Sequence, residues 1–182
     1  MIGLARARAG GRPRSTSEAA TLILACHERI RAFLATARRI AEAVGAPPAQ
    51  IAEAAAAVDR YFTVALPLHA EDEERSILPR LRGRDGATDA ALSAMVEEHL
   101  AHQATVRALT AICAELSVGP GRLAILAPSL HATVSWLERH FADHLGGEEA
   151  VVIPAMERLL TAAEDAALAV EMRGRRGAPA AP

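Results

Sequence analysis

The sequence is short of the residues on which most folds and binding modes rest. Aromatic residues make up only 3% of its 182 residues against 51% hydrophobic overall, and much of that share is alanine. Small, unbranched side chains favour helix packed on helix over sheets of β-branched and aromatic residues. Lysine is absent, so all 20 basic residues are arginine. The formal net charge is −2, too small for a global field that recruits nucleic acid or an acidic membrane, and neither is expected as a partner. Cys26 and Cys113 are the two cysteines. They lie far apart and outside any C-x-x-C spacing, which excludes a disulfide scaffold and points to a reducing compartment. No run approaches the roughly 18 apolar residues of a membrane span. The charged N-terminus has no apolar segment behind it, so no signal peptide is expected and the expected location is cytoplasmic.

What is present is helical periodicity. Residues 1–14, with arginines among glycine and proline, read as a disordered basic arm, and residues 172–182 as a disordered tail. One domain is expected over residues 15–171. Its first helix is predicted to start near Ser15, where Ser15-x-x-Glu18 has the form of a capping box, and to stop at Gly45-Ala46-Pro47-Pro48. A second runs from about Pro48 to about Arg80. Asp89 is a candidate cap for a third that reaches about Leu116, and a fourth runs from the Val118–Gly121 break towards Pro154. A weaker helical tail covers about 155–171. Pro67 and Pro128 should each kink a helix or mark a start. Four long helices on short loops imply an all-α, up-down-up-down antiparallel four-helix bundle.

One pattern occurs twice. His69-Ala70-Glu71-Asp72-Glu73-Glu74-Arg75-Ser76-Ile77-Leu78-Pro79 and His144-Leu145-Gly146-Gly147-Glu148-Glu149-Ala150-Val151-Val152-Ile153-Pro154 both read H-x-x-x-E-E-x-x-[IV]-[LI]-P. Residues i and i+4 lie one above the other on a helix face, so imidazole and carboxylate can grip one ion. Neutral imidazole suits iron, zinc, copper or nickel, and a carboxylate can bridge two ions. The remaining helices supply partners. His27 lies on the apolar stripe Ile23, Ile30, Leu34, Ala37, and His99 on the stripe Leu92, Val96, Val106, Cys113. Counted from the helix ends, His27, His69, His99 and His144 all fall in one layer, roughly 15 Å from the same end of the bundle.

This set of residues resembles the hemerythrin-like (HHE cation-binding) family, whose pattern is a histidine on helix 1, H-x-x-x-E on helix 2, a histidine on helix 3 and H-x-x-x-E on helix 4. The resemblance covers roughly residues 17–160. It implies a non-haem di-iron centre held by His27, His69, Glu73, His99, His144 and Glu148, with Glu73 and Glu148 as the bridges. Oxygen carriers of the family place a fifth histidine four residues after the first on helix 3, where this sequence has Gln103. His102 and His140 are the candidates to replace it. His131 is expected on the surface, and Gly146-Gly147 is expected to loosen the helix between two ligands. Glu71, Asp72, Glu74 and Glu149 read as a solvated acidic face. Ferritin-like di-iron proteins use E-x-x-H rather than this order, and a haem would leave both glutamates unexplained.

The resemblance implies binding or sensing of dioxygen, or of a related diatomic or redox signal, in a small apolar-walled pocket. The alternative is nitric oxide chemistry or repair of iron–sulfur proteins, and a metal-free structural bundle is the third reading. A binding or sensing protein is favoured over an enzyme. The sequence carries no signal for oligomeric state.

Overall fold

The computed structural model describes residues 17–177, which form five helices and no strand. The expected arm at 1–14 lies outside the described residues. Helix α1 is Glu18–Glu42. Its cap is Ser17 rather than Ser15: the Ser17 hydroxyl accepts from the Ala20 N–H at 3.0 Å. Helix α2 spans 48–81, and Gly45 takes the left-handed φ of 95° in the turn before it. Helix α3 is Gly86–Val118, capped by Asp85 through the Thr88 N–H at 2.8 Å. Asp89, the expected cap, instead accepts from the N–H of Gly83, whose φ of 79° closes the turn. A 3₁₀ turn at Pro120–Arg122 leads into α4, spanning 123–159.

Two further expectations are corrected here. Helix α4 does not stop at Pro154 but runs through it, and the supposed weak tail is a separate helix, α5, at Ala162–Arg175. Thr161 and Glu164 form a full capping box at its start. The tail expected from residue 172 is likewise shorter, because Met172 is buried and α5 continues to Arg175. Residues 178–182 of that tail lie outside the described residues.

Residue pairs fix how the long helices run. Phe33 stacks on Tyr61 while His27 meets His69, so α1 and α2 are opposed. Arg38 bonds Ser135 while His27 bonds Glu149, so α1 and α4 are opposed. His99 meets His144 while His102 meets Trp136, so α3 and α4 are opposed. The interior is divided in two. One apolar cluster, with Ile30, Leu34, Phe62, Leu109, Leu130 and Leu137, fills the body of the bundle. A second, with Ile23, Ile77, Met95, Ile153, Met156 and Leu168, fills the end that α5 covers. The layer holding the four histidines lies between them.

Three turns in α2 and α4 are wider than α-helical: Tyr61–Ala65, Glu73–Ile77 and Glu148–Val152. Each is followed by a proline, at Pro67, Pro79 and Pro154. The residue just before each proline donates its N–H five residues back: Leu66 to Tyr61, Leu78 to Glu73 and Ile153 to Glu148. A proline in a helix has no N–H, and its ring presses on the carbonyl four residues earlier. A wide turn relieves that pressure, and such turns concentrate at functional sites. Pro128 sits inside α4 without one.

Candidate metal centre

The structure brings His27, His69, Glu73, His99, His144 and Glu148 together between the two apolar clusters. Their ligand atoms form two groups: His27, His69, Glu73 and Glu148, and Glu73, His99, His144 and Glu148. Within each group the atoms lie within 4.8 Å of one another. Both carboxylates belong to both groups, while the imidazoles divide two and two. Along the helices, His69 Nε2 is 3.1 Å from Glu73 Oε1 and His144 Nε2 is 3.3 Å from Glu148 Oε1. Across the helices, His27 Nε2 is 3.1 Å from Glu148 Oε2 and His99 Nε2 is 3.2 Å from Glu73 Oε2.

These close pairs are not ordinary hydrogen bonds. The inward nitrogens of His27 and His69 and all four carboxylate oxygens are buried without a hydrogen-bond partner. A buried polar atom in that state costs about 1–3 kcal/mol, and six such atoms in one place call for something that satisfies them together. Ligands bound about 2.0–2.2 Å from a shared ion lie roughly 3 Å apart from one another, which is the spacing observed. The residues therefore fit metal.

A second ring of residues sets which nitrogen faces inward. Nδ1 of His27 donates to Glu149 at 2.8 Å, Nδ1 of His99 to Glu74 at 2.8 Å, and Nδ1 of His144 to Glu98 at 2.7 Å. An ionised carboxylate only accepts, so Nδ1 carries a proton and Nε2 is the nitrogen turned to the site, where a cation would replace its proton. His69 is the exception, with its Nδ1 buried and unpartnered. Burial works against the charged form of His27, but the contacts with Glu148 and Glu73 outweigh it and lift the imidazole to about 10. His99 rises to about 9 through Glu73 and Glu74 despite its burial. Burial dominates at His69 and lowers it to about 4, which keeps that ring neutral. Glu148 is pushed up by burial and by the neighbouring charge of Glu73, while the imidazoles around Glu73 overcome its burial and hold it low. The centre is an anionic pocket that demands positive charge.

Glu74 and Glu149 were expected in a solvated face; instead each holds an imidazole of the neighbouring helix. The doubled glutamate was the available signal. Successive residues sit about 100° apart around a helix, so when Glu73 or Glu148 points inward its successor points towards the next helix. Glu98, next to His99, is turned to the neighbouring helix in the same way and holds His144. Asp72 is no part of a solvated face either. It is fully buried and pairs with Arg175 of α5 and with Arg176 just after it, both at 2.6 Å. Burial still pushes its carboxyl above the usual range, against the pull of those two guanidiniums.

The two candidate replacements for a fifth histidine stay out of both ligand groups. His102 is buried with its ring against Phe141 and His144, and His140 is exposed and stacked on Trp136. Each lies one turn too far along its helix to reach the ligand layer. His131 is exposed as expected. Gly146 and Gly147 leave the helix unbroken: Gly147 has φ −63° and ψ −44°, ordinary helical values.

The pocket beside the centre is larger than the small one expected. A cleft of about 490 Å³ opens between α2 and α3 and reaches His69, His99 and His144. No helix among the described residues is long and apolar enough to cross a membrane.

The family model described as the hemerythrin HHE cation binding domain matches residues 18–143. The match takes in His27, His69, Glu73 and His99 and ends one residue before His144. The place of His144 and Glu148 in the centre therefore stands on geometry. No curated protein and no solved structure matches the chain.

Proposed function

The chain belongs to the hemerythrin HHE cation-binding family, and we propose that it holds a non-haem iron pair and serves to bind or sense dioxygen, or a related diatomic or redox signal. The observation that carries this reading is the pair of ligand groups sharing Glu73 and Glu148, with their buried atoms otherwise unsatisfied. Two imidazoles and two shared carboxylates make a nitrogen–oxygen set without sulfur, the type that suits iron with positions left open. Zinc would be nearly closed by four such ligands. When bound, an iron pair supplies one-electron redox chemistry and open coordination positions for a small ligand.

The protein's own part is to hold and shield. Glu73 and Glu148 would bridge, His27 and His69 would complete one position, and His99 and His144 the other. Glu149, Glu74 and Glu98 keep three of the imidazoles turned inward. The two apolar clusters exclude water from above and below the layer, and α5 closes the side where His27 and Asp72 lie. Access is left on the α2–α3 side through the cleft.

The test is metal quantitation and an optical spectrum on protein purified in air, repeated after dithionite reduction and again after return to oxygen. About two irons per chain, with visible bands that bleach and return, is the expected result. A chain that takes up no iron, or bands that persist unchanged in His69→Ala and His144→Ala, would sink the reading.

A further inference from the structure

The cleft is far too large for a diatomic ligand. It encloses about 490 Å³, whereas one water takes about 30 Å³ of the liquid. Its size is that of a pocket for a small organic molecule. It also extends well beyond the centre. Its lining on α3 runs from His99 to Thr110, about 16 Å along the helix.

The walls are apolar, made by Phe62 and Leu66 of α2, Val106 of α3 and Phe141 of α4. Four lining residues have side-chain polar atoms with no hydrogen-bond partner among the described residues: His69, which belongs to the centre, and His102, Gln103 and Arg107. His102 is 5% exposed and lies against the cleft, yet its ring makes no hydrogen bond among the described residues. The guanidinium of Arg107, at the rim, makes no ion pair or hydrogen bond among the described residues either. The acidic groups of the same rim are already engaged, Glu74 by His99 at 2.8 Å and Glu71 by Arg75 at 3.5 Å. The local charge left to be matched is therefore positive and on Arg107. His102 and Arg107 are five residues apart on one helix, about 7–8 Å along its axis, with apolar wall between them.

We infer that the α2–α3 cleft binds an amphipathic carboxylate, its head on Arg107, its apolar body along Phe62, Leu66, Val106 and Phe141, and a polar group at its inner end on His102. Such a ligand would lie with its inner end beside His69, His99 and His144, between the centre and solvent. The inference goes beyond the reading of the centre as a gas or redox site and does not depend on which metal fills it.

Isothermal titration of the purified full chain with decanoate, 10-hydroxydecanoate and decanol tests it, with metal content measured on the same samples. Decanoate should bind one to one, and decanol about tenfold more weakly for want of the charge on Arg107. Arg107→Gln should weaken decanoate by a similar factor and leave decanol unchanged. 10-Hydroxydecanoate should bind more tightly than decanoate, and His102→Phe should remove that advantage. Val106→Trp should fill the cleft and abolish all three, and unchanged helical content by circular dichroism would show that it is folded. Absence of saturable binding overturns the inference, as does binding indifferent to Arg107→Gln, which alters a surface residue and leaves the fold alone. Metal retained without carboxylate binding fails this inference only. Carboxylate binding by a chain that takes up no metal fails the reading of the centre only.

Discussion

The α1–α2 half of the bundle and the α3–α4 half carry the same chemistry in the same order. His27 corresponds to His99, and His69, Glu73 and Glu74 correspond to His144, Glu148 and Glu149. Each half even repeats the wide turn that begins at the shared glutamate. Glu74 reaches from the first half to His99 in the second, and Glu149 returns the contact to His27. The correspondence fails at one position. The residue before His99 is Glu98, which braces His144; the residue before His27 is Cys26, and His69 is left unbraced. Cys26 turns instead towards guanidiniums, with Arg29 Nη2 at 3.3 Å and Arg176 Nη2 at 3.6 Å. Outside the centre the halves differ again. The first is joined to α5 through Asp72, while the cleft between α2 and α3 borders both halves and reaches His69 as well as His99 and His144. Two copies of one ligand pattern thus differ in the residues behind the ligands.

The largest test of this comparison removes what the halves share. Glu73→Ala or Glu148→Ala deletes a member of both ligand groups, so each variant should lose most of its metal from both positions, read as metal per chain. His99→Ala should cost about half. If either glutamate variant kept a full complement, the sharing would be wrong. The join to α5 comes next. Asp72→Ala strands two partly buried guanidiniums and should destabilise the fold by about 3 kcal/mol, seen as a lower urea midpoint together with protease cleavage near Leu160–Thr161. An unchanged midpoint would mean that α5 docks without help from Asp72. The finest test addresses the single mismatch. Glu98→Ala should weaken metal binding about 10- to 100-fold in chelator competition, the usual effect of removing the group behind a ligating imidazole. Cys26→Ala should change it by less than about twofold, because Cys26 braces no ligand. Equal effects would erase the difference between the halves.

The ligand pattern was legible because its spacing is covalent: i and i+4 on one helix need no knowledge of the neighbours. Helix heights then placed four imidazoles at one level, and the structure brings them there. What lay beyond reach depends on packing between helices. Asp72 sits among Glu71, Glu73 and Glu74, and nothing in that acidic run separates the buried residue from the exposed ones until α5 is docked. The fifth helix was hidden by Pro154, which usually ends a helix, although Thr161-x-x-Glu164 was a capping signal in plain view. His102 and His140 shared a turn with the ligands and nothing more, since one turn along a helix is about 5.4 Å, beyond the span of a coordination sphere.

The prolines after the wide turns have a consequence of their own. A wide turn holds one surplus residue, and in an ordinary helix that surplus can travel, each N–H changing its acceptor in sequence as a ruck moves along a carpet. Every such exchange needs a donor. Pro79 and Pro154 offer none, so the ruck cannot pass them towards the C-terminus from where Glu73 and Glu148 begin it. Two prolines thereby bar one direction of slip of both shared carboxylates against their histidines.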